Sequence, residues 1–182
     1  MPFQLAFASS SAASDHALIN HLVVLINDAY TKSEAGIWAP SAPFCRTSVA
    51  DLQHCINASE LVLAWSGTLD ASTVLGAVRL QRRDVPLIAM LACDPAARGT
   101  GLGTALVRFC EDEARARGAS AVHIDLLTPR AWDHPEKVRL AAWYERSGYV
   151  VIRRDQAETH YAELAPMLAG PCDVRVFEKR LN

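Results

Sequence analysis

The sequence predicts an α+β fold, an α/β/α sandwich in which a mixed, mostly antiparallel sheet of about seven strands carries helices on both faces. Three observations predict it. Apolar runs short enough for strands, such as Glu60–Ser66 and Val85–Cys93, interleave with segments whose apolar residues recur every three or four positions. The elements run β-α-α-β-β-β-α-β-α-β-β, neither the strict alternation of a parallel sheet nor an all-β series. One stretch, Leu91–Gly118, passes from strand through a glycine-rich turn directly into a helix. The 182 residues, 51% hydrophobic and 21% charged, suit one globular domain over 1–182 with a substantial core.

Phe3, Leu5 and Phe7 alternate with Gln4 and Ala6 as a short first strand. Ser14 or Asp15 caps a helix over Ala17–Tyr30, with Leu18, Leu22, Leu25, Ile26 and Ala29 on one face. Gly36, Pro40 and Pro43 forbid a long helix in 31–45, yet Trp38 and Phe44 are large apolar groups there, as in a loop that covers a core or lines a pocket. Arg46-Thr47-Ser48 caps a second helix, Val49–Ala58. Strands Glu60–Ser66 and Thr73–Arg82 pair around the turn Gly67–Ser72, with Gly76 a bulge or a point of close approach. Val85–Cys93, apolar almost throughout, reads as a strand buried on both faces.

After the glycine turn, Leu102, Ala105, Leu106, Phe109, Cys110 and Ala114 line one face of a helix that Gly118 ends. Strand Ala119–Thr128 turns Val122, Ile124 and Leu126 one way and His123, Asp125 and Leu127 the other. Helix Val138–Ser147 closes at Gly148, and Tyr149–Arg153 and Val174–Leu181 are the final strands. The insert 154–173 between them carries a helical stripe, Ala157, Tyr161, Leu164 and Leu168. Val174–Leu181 reads as an exposed end strand able to pair across a two-fold, so a monomer or a homodimer is expected.

The turn Arg98-Gly99-Thr100-Gly101-Leu102-Gly103 has a physical use. A helix N-terminus presents unpaired N–H groups and about half a positive charge, and glycines let a phosphate approach the backbone. A Walker loop is excluded, because Thr104 and Ala105, not a lysine, follow Gly103. The spacing Gly99-x-Gly101-x-Gly103 is not the dinucleotide fingerprint either.

The pattern Arg98-x-x-Gly101-x-Gly103 resembles the acetyl-CoA loop of the GNAT N-acetyltransferases, Q/R-x-x-G-x-G/A. A second segment, Ala142-Trp143-Tyr144-Glu145-Arg146-Ser147-Gly148-Tyr149, is similar to that family's F-Y-x-x-x-G-F/Y. The resemblance covers nearly the whole chain and implies a V-shaped splay between the fourth and fifth strands, with acetyl-CoA as co-substrate, an amine acceptor and no metal. Carried over, Leu91, Ala92 and Cys93 pair with the pantetheine arm, and Arg98, Gly99, Thr100, Gly101, Leu102, Gly103 and Thr104 hold the pyrophosphate. Tyr144 protonates the departing thiolate or, alternatively, only packs between helix and sheet. Lys137 stands where the family often has asparagine; it reaches a CoA phosphate or is solvated. Trp132 and Arg130 frame the adenine end or the acceptor, with Arg130 and His134 also readable as solvated loop residues.

The base is open. Val85–Cys93 holds no acidic residue, and Asp125 is the substitute by position, with His123, His160 and Glu34 as further choices or no dedicated base at all. Pairing with an arginine is the competing role for Asp125. On the acceptor side the resemblance places Tyr30, Glu34, Trp38 and Phe44, and the insert adds Tyr161. The implied activity is acetyl transfer to a primary amine of a small molecule by direct attack; a CoA-binding sensor without turnover is the alternative.

A formal net charge of −2 argues against nucleic acid as the main partner, and no apolar run reaches the ~18–20 residues of a membrane span. The N-terminus lacks the features of a secretory signal. Five cysteines without C-x-x-C spacing and histidines without H-x-x-x-H read as reduced thiols of a cytoplasmic protein rather than as disulfides or a metal site.

Overall fold

The computed structural model describes residues 3–181. Its strands are β1 (Gln4–Phe7), β2 (Leu61–Trp65), β3 (Val74–Gln81), β4 (Leu87–Cys93), β5 (Ala121–Pro129), β6 (Val150–Gln156) and β7 (Cys172–Arg180). They form one sheet in the order β1-β2-β3-β4-β5-β7-β6, antiparallel throughout except for β4 beside β5. The helices are α1 (His16–Ser33), α2 (Val49–Asn57), α3 (Leu102–Ala116), α4 (Pro135–Arg146) and the single turn α5 (Ala157–His160).

Side-chain alternation on the strands builds the two faces. Leu61 and Leu63 of β2 join Met90 and Ala92 of β4 under α1 and α2. Val62 and Ala64 turn the other way and pack with Ile88, Ile124 and Phe177 under α3 and α4. Cross-strand geometry then departs from regularity at the middle of the sheet. Across Ala77↔Ala92 and Arg79↔Ala89, β4 carries one residue more than β3, and Met90 within that bulge has φ +53°. Gly76 is the expected point of close approach: a Cβ there would lie 2.8 Å from the Ala92 carbonyl oxygen. β4 and β5 share one register pair, Leu87↔His123, where the His123 N–H donates to Pro86 O at 2.9 Å, and then separate. This is the expected V. It leaves Ala89, Leu91 and Cys93 half-buried, so β4 is not enclosed on both faces.

Four expectations are corrected. β7 is not an end strand: it lies between β5 and β6, and β6 forms the sheet edge with Val150 and Ile152 exposed. The insert is long enough to bring β7 back inside, where nine residues pair along β5. The stripe over 156–168 is not one helix. It is α5, which ends where Tyr161 leaves the helical region at φ −132° and ψ 68°, then a turn, and a 3-10 segment at Ala165–Met167 with Pro166 in its first turn. Ala157, Tyr161 and Leu168 nevertheless meet one apolar cluster with Ile37 and Val174. Helix α4 begins at Pro135 rather than at Val138, since proline suits the first helical position, and the buried His134 side chain accepts from the Glu136 N–H at 3.2 Å. His134 is therefore a helix cap and not a solvated loop residue.

Among the described residues, no helix is long and apolar enough to cross a membrane.

Candidate active site

The glycine turn is shaped by local chemistry. Asp94 accepts from the Ala96 N–H at 2.7 Å and starts a 3-10 turn, Pro95–Ala97. Gly99 and Gly101 have φ of +78° and +85°, a region that strains any residue with a Cβ, and Gly101 caps α3. The first bond into the helix runs from the Ala105 N–H to Gly101 O at 3.0 Å. The N–H groups of Leu102, Gly103 and Thr104 therefore have no helical acceptor and point out of the helix end. Arg98 stands close enough to Cys93 to oppose the burial that pushes the Cys93 thiol up to about 11.

The separation of β4 from β5 opens a cavity of about 430 Å³. Tyr144, from α4, forms part of its wall and is 7% exposed. Its ring stands edge-on to Phe177 at 5.4 Å and tilted against Trp143 at 5.1 Å, and its hydroxyl makes no hydrogen bond among the described residues. Burial, with Tyr30 nearby adding, holds the phenol well above the ordinary tyrosine value. Tyr30 lies across the cavity, its hydroxyl facing the main-chain N–H of Met90 in the bulge; burial raises it and Arg46 opposes the rise.

The other expected acceptor-side residues converge here. Glu34, 6% exposed, accepts from Trp38 Nε1 at 2.8 Å and from Lys137 Nζ at 2.7 Å. Lys137 is thus buried and ion-paired rather than solvated; α4 starts a turn earlier than expected and turns this lysine inward. Trp38 stacks on Phe44 with centroids 3.5 Å apart, and the Ala39 N–H bonds Met167 O at 2.8 Å, tying the aromatic loop to the insert.

Among the described residues, Asp125 on β5 pairs with no arginine. Its Oδ2 accepts from the Tyr161 hydroxyl at 2.6 Å and lies 3.1 Å from His160 Nε2, while His160 Nδ1 lies 2.8 Å from Asp155. Both partners come from the insert. His123, the other β5 choice, is taken up by Glu178 at 3.1 Å. Trp132 does not line the cavity; it is 44% exposed and stacks on His134, because the loop after β5 turns it outward beside Gly36. Arg130 is not simply solvated but bridges Glu158 and Asp173, fastening the insert.

Two cavity features escaped the sequence reading. The Met90 bulge has no signal, since methionine is not a residue that favours positive φ. Arg46 read as part of a helix cap; only its place after an aromatic loop hinted at more.

Residues 58–151, more than half of the chain, match the family model described as Acetyltransferase (GNAT) domain, and the chain belongs to that family. Its fold is similar to that of the PaiA N-acetyltransferase from Thermoplasma acidophilum, solved in complex with coenzyme A, at 14% identity and TM-score 0.66 over 99% of each chain. It is also similar to yncA from Salmonella typhimurium, solved with acetyl-CoA, at 15% identity and TM-score 0.61, covering 100% of this chain and 95% of that one. A third similar structure is Rv2747 from Mycobacterium tuberculosis, in complex with CoA, at 18% identity and TM-score 0.62, covering 98% of this chain and 99% of that one. No curated protein matches the chain.

Proposed function

We propose that this acetyltransferase-family chain moves an acetyl group from acetyl-CoA to the primary amine of a small molecule by direct attack. The observation that carries the reading is the opening of β4 from β5 beside a glycine turn, with the buried Tyr144 on the cavity so formed. The residues present fit a CoA-type ligand: two glycines held at positive φ, three N–H groups without helical acceptors, and a strand edge free beyond Leu87. A bound thioester supplies the activated acyl group.

In this proposal the main chain of Leu91, Ala92 and Cys93 pairs with the pantetheine arm as an added strand. Arg98 and the turn Gly99–Thr104 hold the pyrophosphate. Tyr144 keeps its proton throughout the neutral range, because burial raises its pKa, and donates it to the sulfur as that atom leaves. Asp125 takes the amine proton on Oδ1, which has no partner among the described residues, while Tyr161 and His160 hold Oδ2. His160, between Asp125 and Asp155, helps to fix the orientation of that carboxylate. A cavity of about 430 Å³, lined in part by Trp38, Phe44 and residues of the insert, suits a small acceptor.

The test is the Tyr144→Phe variant with a panel of amines and detection of free thiol. Turnover is expected to fall about a hundredfold while CoA affinity, measured by calorimetry, stays unchanged. In the unsubstituted protein, turnover shows no alkaline limb near pH ~10, where an unperturbed phenol titrates. Unchanged turnover in the variant removes Tyr144 as the acid; no thiol release from any amine moves the CoA-sensor alternative ahead.

A further inference from the structure

Among the charged residues of the cavity that the reaction above does not use, Arg46 has the most unusual surroundings. Its backbone is fixed from α1: the Arg46 and Thr47 N–H groups donate to Asn27 Oδ1 at 2.7 and 3.1 Å, and Asn27 Nδ2 donates to Thr47 O at 2.9 Å. Those bonds aim the side chain into the cavity, where the guanidinium carbon lies 4.8 Å above the Tyr30 ring. The other cations on the cavity wall are accounted for. Lys137 is paired with Glu34 at 2.7 Å, Arg79 with Glu60 at 2.6 Å, and Arg83 is exposed to water. Arg46 makes no salt bridge among the described residues, and its Nε is buried with no hydrogen-bond partner.

The guanidinium meets the neutral Tyr30 hydroxyl, which leaves Nε without an acceptor, and the anion and the other hydroxyl nearest to it are already engaged. Glu34 has Lys137 and Trp38, and the Tyr161 hydroxyl is given to Asp125. A buried guanidinium donor without an acceptor is costly, and the cost is relieved when an anion enters. A planar fork fixed over an aromatic face matches a carboxylate through two parallel N–H···O bonds. The CoA pyrophosphate is the wrong anion for this place, because the turn Arg98–Thr104 lies at the head of α3 and does not line the cavity.

Resting on the acetyltransferase reading, we infer that the amine acceptor carries a carboxylate and that Arg46 binds it. Tyr30 sets the spacing. One face of its ring carries Arg46, and its hydroxyl faces the β4 bulge where the thioester would lie. Amine and carboxylate therefore sit a few bonds apart, as in an amino acid rather than in a polyamine or a long peptide.

The test compares amino acids, including glycine, β-alanine and γ-aminobutyrate, with their carboxamides, using acetyl-CoA and free-thiol detection. Amines bearing the carboxylate are expected to show kcat/KM about ten- to a hundredfold above their amides. In Arg46→Met, and in Arg46→Lys, which keeps the charge but loses the fork, that ratio falls toward one through KM, with the KM for acetyl-CoA unchanged. Calorimetry of the N-acetylated amino acids on the CoA-bound protein reads the same site without turnover: saturable binding in the unsubstituted protein, weakened about tenfold or more in Arg46→Lys. Amides acetylated as well as acids, or a preference that survives in both variants, overturns the assignment and leaves the acetyltransferase reading standing. If CoA binds, no amine turns over and no carboxylate ligand binds, the assignment of Arg46 is likewise overturned. A protein that neither binds CoA nor releases thiol overturns the acetyltransferase reading and this inference with it.

Discussion

Cys93 ends β4 beside the glycine turn, and its reactivity follows from its surroundings. Burial pushes its thiol up to about 11, with Arg98 only partly opposing, so at pH ~8 about one molecule in a thousand carries the thiolate. Cys45 is exposed, whereas Cys55, Cys110 and Cys172 are buried. Titration with a disulfide reagent at pH ~8 is therefore expected to show one fast thiol, lost in Cys45→Ser and kept in Cys93→Ser. A fast thiol that disappears with Cys93 instead would mean that the turn stands open and polar around it. The same rule of surroundings separates Tyr161 from Tyr144, both of the cavity. Tyr161 is held above its usual value by burial and then by Asp125, so it stays a donor to that carboxylate. Tyr144 has burial without a carboxylate and keeps its proton unspent.

At the scale of elements, the pair Glu34–Lys137 joins the end of α1 to the first turn of α4 across 103 positions of sequence. Both side chains are nearly inaccessible, so removing one partner strands the other charge in a low-dielectric wall. Lys137→Met is expected to cost about 3–5 kcal/mol in chemical denaturation, and Glu34→Gln added to it to recover a good part. A loss below about 1 kcal/mol would place the pair in effective contact with water. Trp38 bonds the same carboxylate, so the aromatic loop loosens with the pair. The strand–turn–helix unit from β4 to α3 has a different origin. Asp94, Pro95, Gly99 and Gly101 impose it through near-neighbour bonds and positive φ, which is why it was legible before any tertiary contact was known.

At the scale of the molecule, the sheet is one layer with a single weak seam. β4 and β5 meet at one register pair, whereas β5 pairs with β7 along nine. Adding CoA is expected to slow amide exchange in the segments Leu91–Cys93 and Leu102–Thr104, with little change at β5 residues bonded to β7. Protection confined to other segments would move the ligand elsewhere. The range of each interaction along the chain separates what is legible in the sequence from what is not. Helix faces, strand alternation and both motif segments depend on residues within a turn or two of each other, and they were placed within a few residues of their true limits. The interior position of β7, the broken helix of the insert and the Met90 bulge depend on partners far along the chain and leave no local signal.

By itself the sequence determined the α+β layering and the glycine turn at the head of α3, because apolar periodicity, proline and glycine act locally, while Tyr144 was singled out only by the resemblance of its segment to the family's. Only the tertiary structure decided that Lys137 meets Glu34, that Asp125 is held by Tyr161 and His160, and that Arg46 enters the cavity without an anion. Those outcomes turn on which charges burial leaves paired, and pairing is set by the packing of distant elements rather than by spacing along the chain.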